Sequence, residues 1–404
     1  MEKEKTRQRS TAQGNIHLSR NINVRTILNP VDAKLANRLV SLDVMRGFTM
    51  ACMILVNNPG SSSVIYEPLK HAKWHGWTPT DLVFPFFLFI VGVAMPFSFE
   101  KRLQNGNRFS LMAKVLQRTS VLFLIGFLLG VFPNVIWNPS VLLEARWPGV
   151  LQRIAICYFF TSLIVTFLPN SGRWIIAAVL LIVYSAGMFF YVVPGYGAGV
   201  FDVMGNFCWW LDNQLLQGHT WSGAPAKGFD PEGVWSTLPA ITTTLFGYFT
   251  GQLLRSSADA KEKLLRLFLS ANISLILAYL VNLSMPINKQ LWTISFVLLT
   301  AGLAIHLLAM LYYVIDIREY RWGLIPFIIL GTNAIVAYVL SSLLGDLLSV
   351  IPVGEGNLKS WLFKDVFSSF LSPINASLVM AVCMVLLCTS LTSILYFRRI
   401  FVRI

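Results

Sequence analysis

The sequence predicts an all-α fold, a polytopic bundle of membrane-spanning helices, and three observations point to it. Hydrophobic residues make up 55% of the 404-residue chain and charged residues only 13%, with a mean hydropathy of +0.63. Apolar segments near the roughly 20 residues needed to cross a bilayer recur along the chain. Basic residues are concentrated in alternate connections between these segments. This combination is typical of polytopic membrane proteins and excludes an ordinary soluble domain.

About ten transmembrane helices are expected, and the first is the weakest because its uncharged stretch runs only from Gly47 to Val56. The predicted spans, with approximate ends, lie at 39–57, 80–100, 115–136, 149–168, 173–193, 235–254, 263–283, 291–315, 321–345 and 373–396. An even number of crossings places both termini on one side of the membrane. Residues 39–404 therefore form the predicted membrane domain.

The distribution of Lys and Arg predicts which side that is. Under this topology only eight of these residues fall on the side away from the termini: Lys70, Lys73, Arg146, Arg153, Lys227, Lys289, Lys359 and Lys364. The positive-inside rule then makes the N- and C-termini cytoplasmic. The net charge of +13 mostly reflects this bias and requires no nucleic-acid partner. Residues 1–38 are polar and basic without apolar periodicity, which predicts a disordered cytoplasmic tail.

His71 is the first candidate for chemistry, in the segment YEPLKHAKWHGWT between the first two spans. Imidazole titrates near neutral pH, so it can take a proton from an amine or carry an acyl group itself. A loop histidine that is merely exposed to water is the plainer alternative. His75 lies four residues on, but a zinc site would lack a third ligand nearby, so no metal is expected.

Asn57 and Asp81 border the same segment. Asn57 closes the first span at VNNPG, where its amide could donate to a developing oxyanion; Asn-Asn-Pro-Gly is equally a helix-stop and turn signal. Asp81 follows Thr78 and Pro79, a capping-box pattern that opens the second span. Asp81 is also placed to orient His71.

Four more polar residues lie within predicted spans. Asp43 and Arg46 share a helix face at the cytoplasmic end of the first span, where Arg46 could hold a phosphate or carboxylate, or only a local ion pair. Arg153, next to Gln152 in the outer third of the fourth span, must find an anionic or carbonyl partner.

Further polar segments converge on the outer half of the bundle by topology. Lys289 and Trp292 lie in PINKQLW, and Asp230 and Glu232 lie in the acidic turn FDPEG. Convergence of this kind is expected for a site, and also for unrelated loops on one side of a membrane. The long loop from Pro194 to about residue 234 carries tryptophans that suit either stacking on sugar rings or an interfacial aromatic belt.

Several long motifs in order carry a family resemblance. The string SLDxxRG, then VN, then KHAxWxGxTxxDLVFPxFxFIxG resembles the heparan-α-glucosaminide N-acetyltransferase family of transmembrane acyltransferases. WPGVLQRIAICYF, FDPEGVWSTLPAITTTLFGYFTG, PINKQLWTISFVLLTAGLA and GTNAIVAYVLS extend the resemblance over about residues 39 to 345. Because only a short tail precedes the first span, the chain is similar to compact bacterial members.

The resemblance implies a function and site residues. Members of the family transfer acetyl from acetyl-CoA, a co-substrate, to the free amine of a terminal glucosamine on the non-cytoplasmic side. The active histidine of the KHAxW motif corresponds to His71, and the active asparagine corresponds to Asn57. The expectation is an acetyltransferase of the bacterial inner membrane with a periplasmic site, an amino-sugar acceptor and no metal. Homodimer formation is left open.

The donor is made in the cytoplasm, so the resemblance also implies transfer across the bilayer. A polar channel lined by Arg46, Asn57, Arg153 and Asn333 is expected, with Arg153 and Lys289 on donor phosphates or an acidic acceptor. The alternative function is a transporter of a small amphipathic solute or saccharide, for which buried polar residues and broken helices are equally suitable. A transporter would not need CoA.

Overall fold

The fold is all-α in the residues that a computed structural model describes, 39–104 and 107–402. The α-helices are α1 Val40–Asn57, α2 Val83–Gln104, α3 Arg108–Val131, α4 Asn134–Trp137, α5 Val150–Phe167, α6 Asn170–Phe190, α7 Phe207–Leu216, α8 Thr237–Arg255, α9 Ala260–Asn282, α10 Ile294–Leu311, α11 Ile325–Thr332, α12 Ala334–Val350, α13 Leu358–Trp361 and α14 Pro373–Phe397. Strands β1 Pro352–Val353 and β2 Gly356–Asn357 pair antiparallel. The predicted tail, 1–38, lies outside the described residues.

Eight of the described helices are long and apolar enough to cross a membrane, and a ninth crossing results if α11 and α12 form one broken span. All ten predicted segments are helical. The sixth, 235–254, corresponds to α8, which is not among these eight. The largest shift in position is in the third segment, where α3 begins at Arg108 and ends two residues before Pro133. The residue before a proline is disfavoured in helical conformation, so the helix stops there.

Helix α8 forms the centre of the bundle against α2. A Cβ atom added at Gly247 would lie 2.0 Å from the carbonyl oxygen of Phe89, and one added at Gly251 would lie 2.4 Å from that of Val93. The two backbones therefore touch, as small residues allow between membrane helices. Thr242, Thr243 and Thr244 of α8 are fully buried. A helix surrounded by protein need not be as apolar as one facing lipid, which explains its lower hydropathy.

The predicted span 321–345 is broken in the structure. Helices α11 and α12 meet at Asn333 with a bend of 88°. Gly331 is pressed against α1, since a Cβ atom there would lie 2.0 Å from the carbonyl oxygen of Asp43. The two helices together cover most of the predicted span, and the break lies two residues after this glycine. Helix α12 alone, at 17 residues, is about 25 Å long.

Connections meet in two groups at opposite ends of α1. One group follows the end of α1: Gly76 N–H donates to Ile287 O at 2.8 Å, Gly60 N–H to Ser377 O at 3.2 Å, and the Trp74 indole to Phe201 O at 2.8 Å. We call this the His71 end. At the start of α1, Ser41 N–H donates to Asp316 at 3.2 Å, which places the end of the α10 segment there. We call this the Arg46 end.

Candidate active site

The His71 ring is held on one side and open on the other. Its Nδ1 lies 2.6 Å from Oδ1 of Asp81. The His71 side chain is 54% exposed, whereas that of Asp81 is only 1% exposed. Nε2 makes no hydrogen bond within the described ranges. With Nδ1–H donating to the carboxylate, Nε2 keeps a lone pair on the open side, which is the form that a general base or nucleophile requires.

Asp81 is fixed by the backbone that surrounds it. Its Oδ2 accepts from the N–H groups of Ala72 and Thr78, both at 3.0 Å, and from the Thr78 hydroxyl at 3.1 Å. It lies in the 3₁₀ turn Pro79–Leu82 that opens α2, as the capping pattern predicts. These three donors occupy Oδ2, so Oδ1 is left for His71. One carboxylate therefore caps the helix and positions the ring.

Lys289 is the third member of this group. Its Nζ lies 3.1 Å from Nδ1 of His71 and 3.4 Å from Oδ1 of Asp81, and its side chain is only 18% exposed. Burial lowers the pKa of Lys289, and the negative charges of Asp81 and Glu232 act in the opposite direction. The structure thus brings His71, Asp81 and Lys289 together from two segments about 210 residues apart.

Asn57 and Asn58 differ in their side-chain hydrogen bonding. The Asn58 amide donates to Ile54 O at 2.8 Å and so closes α1. Asn57, the last residue of α1, is exposed and makes no side-chain hydrogen bond among the described residues. The helix-stop role therefore falls to Asn58, and the amide of Asn57 is free to bind a ligand beside the His71 segment.

The acidic turn has a partner that sequence reasoning did not identify. Arg146 donates to Asp230 through Nε at 2.8 Å and Nη2 at 2.6 Å, and it also contacts Glu232. Asp230 further accepts from the N–H groups of Trp221 and Glu232, both at 2.9 Å. Asp230 is fully buried and its oxygens are occupied, so it holds the turn in place. The sequence places Arg146 only among the basic residues on the side away from the termini.

Arg153 has the carbonyl partner that its position predicts. Its Nη2 donates to Gly233 O at 2.9 Å and to the Ser236 hydroxyl at 2.5 Å, and its guanidinium lies 5.2 Å from the ring centroid of Trp292. The Trp292 indole in turn donates to Thr243 at 3.1 Å. Nε and Nη1 of Arg153 are buried without a partner in the described part of the chain. Arg153 and Trp292 thus support the acidic turn and the Lys289 loop from inside the bundle.

The other predicted residues are not brought to His71. Gln152 is buried, and its Oε1 would lie 2.4 Å from a Cβ atom at Gly126, so it faces α3. Three others, Asp43, Arg46 and Asn333, lie at the Arg46 end. Arg46 donates to Asp43 at 3.0 Å and to Gly331 O at 3.3 Å.

Asn333 completes the polar group at the Arg46 end. Its amide donates to Ile400 O at 3.2 Å and accepts from Val402 N–H at 2.9 Å. The four residues expected to line a channel are therefore divided between the two ends of the bundle. Arg46 and Asn333 hold helix termini together, and Asn57 and Arg153 belong to the His71 end.

Asp212 of α7 was not singled out in the sequence. It is fully buried, and it accepts from Val234 N–H at 2.9 Å and from Asp230 N–H at 3.4 Å. Burial raises the pKa of Asp212 to about 7. The sequence signal that could have identified Asp212 is an acidic residue within the largely apolar segment FCWWLDNQLL. Asp212 ties the long outer loop to the acidic turn.

Two exposed tryptophans of the outer loops lie near Arg146. Trp147 stacks on His219 with ring centroids 4.1 Å apart, and the Arg146 guanidinium lies 5.8 Å from the ring centroid of Trp221. Trp147 and Trp221 remain 46% and 44% exposed. Sugar stacking by Trp221, one of the tryptophans of the long outer loop, stays a prediction. Among the described residues, no three His, Cys, Asp or Glu side chains are grouped as metal ligands.

Comparison with known proteins identifies the family. A family model described as heparan-alpha-glucosaminide N-acetyltransferase, catalytic, matches residues 38–287, more than half of the chain. Heparan-alpha-glucosaminide N-acetyltransferase of Mus musculus is 30% identical over 353 residues, which cover 75% of this chain and 53% of that protein. The Homo sapiens protein of the same name is 30% identical over 351 residues, covering 75% and 52%. The chain spans about half the length of these relatives. The match confirms the resemblance of the motifs and does not favour a transporter, and the chain belongs to the heparan-α-glucosaminide N-acetyltransferase family.

Proposed function

We propose that this protein is a membrane-embedded N-acetyltransferase that moves the acetyl group of acetyl-CoA to the amine of a glucosamine-like acceptor. One observation carries the proposal: His71 has one ring nitrogen bound to a fixed carboxylate and the other open. This arrangement can accept a proton from an amine near neutral pH. It coincides with the matched family region, residues 38–287.

The transfer is an acyl substitution at the thioester carbon. The acceptor nitrogen attacks the carbonyl carbon, the C–N bond forms, and the C–S bond breaks. Nε2 of His71 takes the proton that the amine loses and passes it to the departing CoA sulfur, which leaves as the thiol. The free amide of Asn57 donates to the carbonyl oxygen as negative charge develops there. Asp81 keeps the ring in the tautomer that leaves Nε2 unprotonated.

The acceptor would bind at the His71 end, on the face away from the cytoplasm. The excess of Lys and Arg on the side of the termini supports this orientation. We keep the expectation of a bacterial inner membrane with the site on the periplasmic face. Exposed Trp147 and Trp221 are the aromatics best placed to stack on an acceptor glycan beside the acidic turn.

The donor must approach His71 from the opposite side of the bundle. Acetyl-CoA made in the cytoplasm must bring its thioester to His71, close to the far end of α1. Buried hydroxyls of Thr161 and Thr242, and two guanidinium nitrogens of Arg153, have no hydrogen-bond partner in the described part of the chain. Unpaired buried polar groups are costly, so a polar donor lying along α5 and α8 would satisfy them.

Transfer is tested with purified protein, radiolabelled acetyl-CoA and a panel of amino sugars. We expect N-acetylation of a glucosamine-like acceptor, abolished in His71→Ala and retained in His75→Ala. His75 is a matched control, since it lies in the same segment and its ring nitrogen is 3.4 Å from Asn288. Solute movement in vesicles without any use of CoA would overturn the proposal.

A second incubation decides the role of the ring, using labelled acetyl-CoA without an acceptor. Label that stays on His71 identifies the imidazole as an acyl carrier, and its absence in active protein identifies direct transfer. Sidedness is tested with Ser62→Cys, an exposed position before His71, and a membrane-impermeant thiol reagent applied to intact cells. Labelling above that of the parent is expected. Labelling only from the cytoplasmic side would exclude a site on the far face.

A further inference from the structure

We propose that Lys289 is a positioning residue that offsets the charge of Asp81, so that the carboxylate orients the His71 ring without converting it into a cation. This role rests on the proposed function and extends it to a residue that had been expected to bind donor phosphates. The three side chains involved are in mutual contact at 2.6, 3.1 and 3.4 Å.

A buried carboxylate beside an imidazole has two effects. It accepts the Nδ1 hydrogen and fixes the ring, but it also attracts the positive charge of the doubly protonated ring. A doubly protonated ring has no lone pair, so it can neither take a proton nor attack a thioester. Asp81 alone would therefore favour a His71 that is well oriented and inactive.

An ammonium group beside the same carboxylate reverses the second effect and leaves the first intact. Lys289 donates toward Oδ1 of Asp81 and places a positive charge 3.1 Å from the ring nitrogen. Repulsion between this charge and a second ring proton disfavours the imidazolium. Because Lys289 is only 18% exposed, solvent screens its charge less than that of a surface lysine.

The remaining charges near His71 leave this balance to the three residues. In its own segment, Lys70 is paired with Glu67 at 2.6 Å, and Lys73 is exposed. Across the site, Glu232 acts on Lys289 and is itself bound to Arg146. The charges in direct contact with the His71 ring are then one carboxylate and one ammonium, which have opposite signs.

Removing either charge should shift the pH at which the His71 ring loses its second proton, and the two removals should shift it in opposite directions. In Lys289→Met, the acidic limb of the profile of kcat/KM against pH moves upward by about one unit, a small value for adjacent charges because the ring is half exposed. In Asp81→Asn, the limb moves downward, since Lys289 is then unopposed. Lys289→Arg keeps the charge, and Lys73→Met removes an exposed lysine of the His71 loop. Both variants should therefore retain the parental acidic limb.

A second readout does not depend on acetyl transfer. Protein with ¹⁵N-labelled histidine rings is titrated by NMR in detergent, and the His71 signal is assigned by its loss in His71→Gln. We expect the ring of Lys289→Met to stay doubly protonated to a higher pH than the parent, and that of Asp81→Asn to lose the proton at a lower pH. Size-exclusion chromatography and thermal unfolding show which variants are folded.

The two proposals fail in different ways. If folded Lys289→Met leaves the His71 titration unchanged, the role of Lys289 is overturned while acetyl transfer by the parent stands. If the parent acetylates no amine, the proposed function falls, and the NMR titration still decides the charge balance. If Lys289→Met does not fold, Lys289→Gln replaces it in the titration: an upward shift supports the role, and an unchanged titration overturns it.

Discussion

The two ends of the bundle each hold charged residues at a helix terminus, yet they use them differently. At the Arg46 end, Arg46 is bound to Asp43 and to a backbone carbonyl, and Asn333 uses both atoms of its amide on the backbone. At the His71 end, one nitrogen of His71 and the amide of Asn57 remain free in the described structure. Charge near a membrane boundary is thus a poor sign of a site by itself. Hydrogen-bonding capacity that the protein leaves unused is a better one.

The strongest test of this comparison replaces one charged group at each end. His71→Gln should lower kcat by a factor of about 10² to 10⁴, the usual contribution of a general base, with little change in thermal stability. Arg46→Gln should chiefly lower the unfolding temperature, because it removes an ion pair within α1 and a hydrogen bond from α1 to α11. Acetyl transfer and thermal unfolding of both purified variants supply the measurements. A folded Arg46→Gln protein as inactive as His71→Gln would break the comparison.

The neighbouring asparagines at the end of α1 give a second test of the difference between free and occupied hydrogen-bonding groups. Asn57→Ala should reduce kcat by about 10²-fold, as loss of one oxyanion donor does, while stability stays near the parent. Asn58→Ala should cost about 1 kcal/mol of stability through the lost bond to Ile54 and retain kcat. The pair differs by one position, so each variant serves as the control for the other. Equal kinetic losses would argue that the whole turn, not the Asn57 amide, matters.

The close packing of Gly331 against α1, beside the helix break, predicts that a larger side chain there lowers stability. Gly331→Ala should destabilise the protein by about 1–3 kcal/mol, since the new Cβ atom would fall 2.0 Å from the Asp43 carbonyl oxygen. Gly130→Ala in α3 is the matched change, because nothing lies within 4 Å of its Cβ position. It should be neutral or slightly stabilising, as alanine favours helix more than glycine does. Chemical or thermal unfolding in the same detergent measures both.

The smallest expected effect is a pH dependence confined to the His71 end. Burial raises the pKa of Asp212 to about 7, above the value near 3.9 of an unfolded chain. The folded loop therefore binds a proton more tightly, so its stabilisation is full at low pH and is lost as pH rises through about 7. Hydrogen exchange of α7, corrected for intrinsic rates, should be up to about tenfold less protected at pH 8 than at pH 5.5. Asp212→Asn should flatten this dependence, and an equal change at the Arg46 end would contradict its local origin.

Most of the fold could be predicted from hydropathy, and the exceptions have local causes. Every predicted span is helical, because a backbone in lipid must satisfy its own hydrogen bonds. The bend at Asn333 was missed because α11 and α12 are both apolar, whereas the break lies beside a long-range contact of Gly331 with α1. Hydropathy measures composition along the chain and carries no record of such a contact.

The candidate site was predictable only where its members are close in sequence. His71 and Asp81 are ten residues apart and fall in one motif, so the local pattern contained both. The contact of Lys289 with them spans 218 residues, and that of Arg146 with Asp230 spans 84. Pairings of this kind depend on how helices pack, and no single segment encodes them.

The carboxylate shared between the start of α2 and the His71 ring has an evolutionary consequence. Insertions or deletions between 71 and 81 would displace the ring from its support, so the length of this stretch should be invariant among working homologues. The exposed residues Ser62 and Ser63 bear no such restriction, and variation in loop length should accumulate there. A lineage could therefore reshape the entrance to the site by lengthening one side of the loop without disturbing the other.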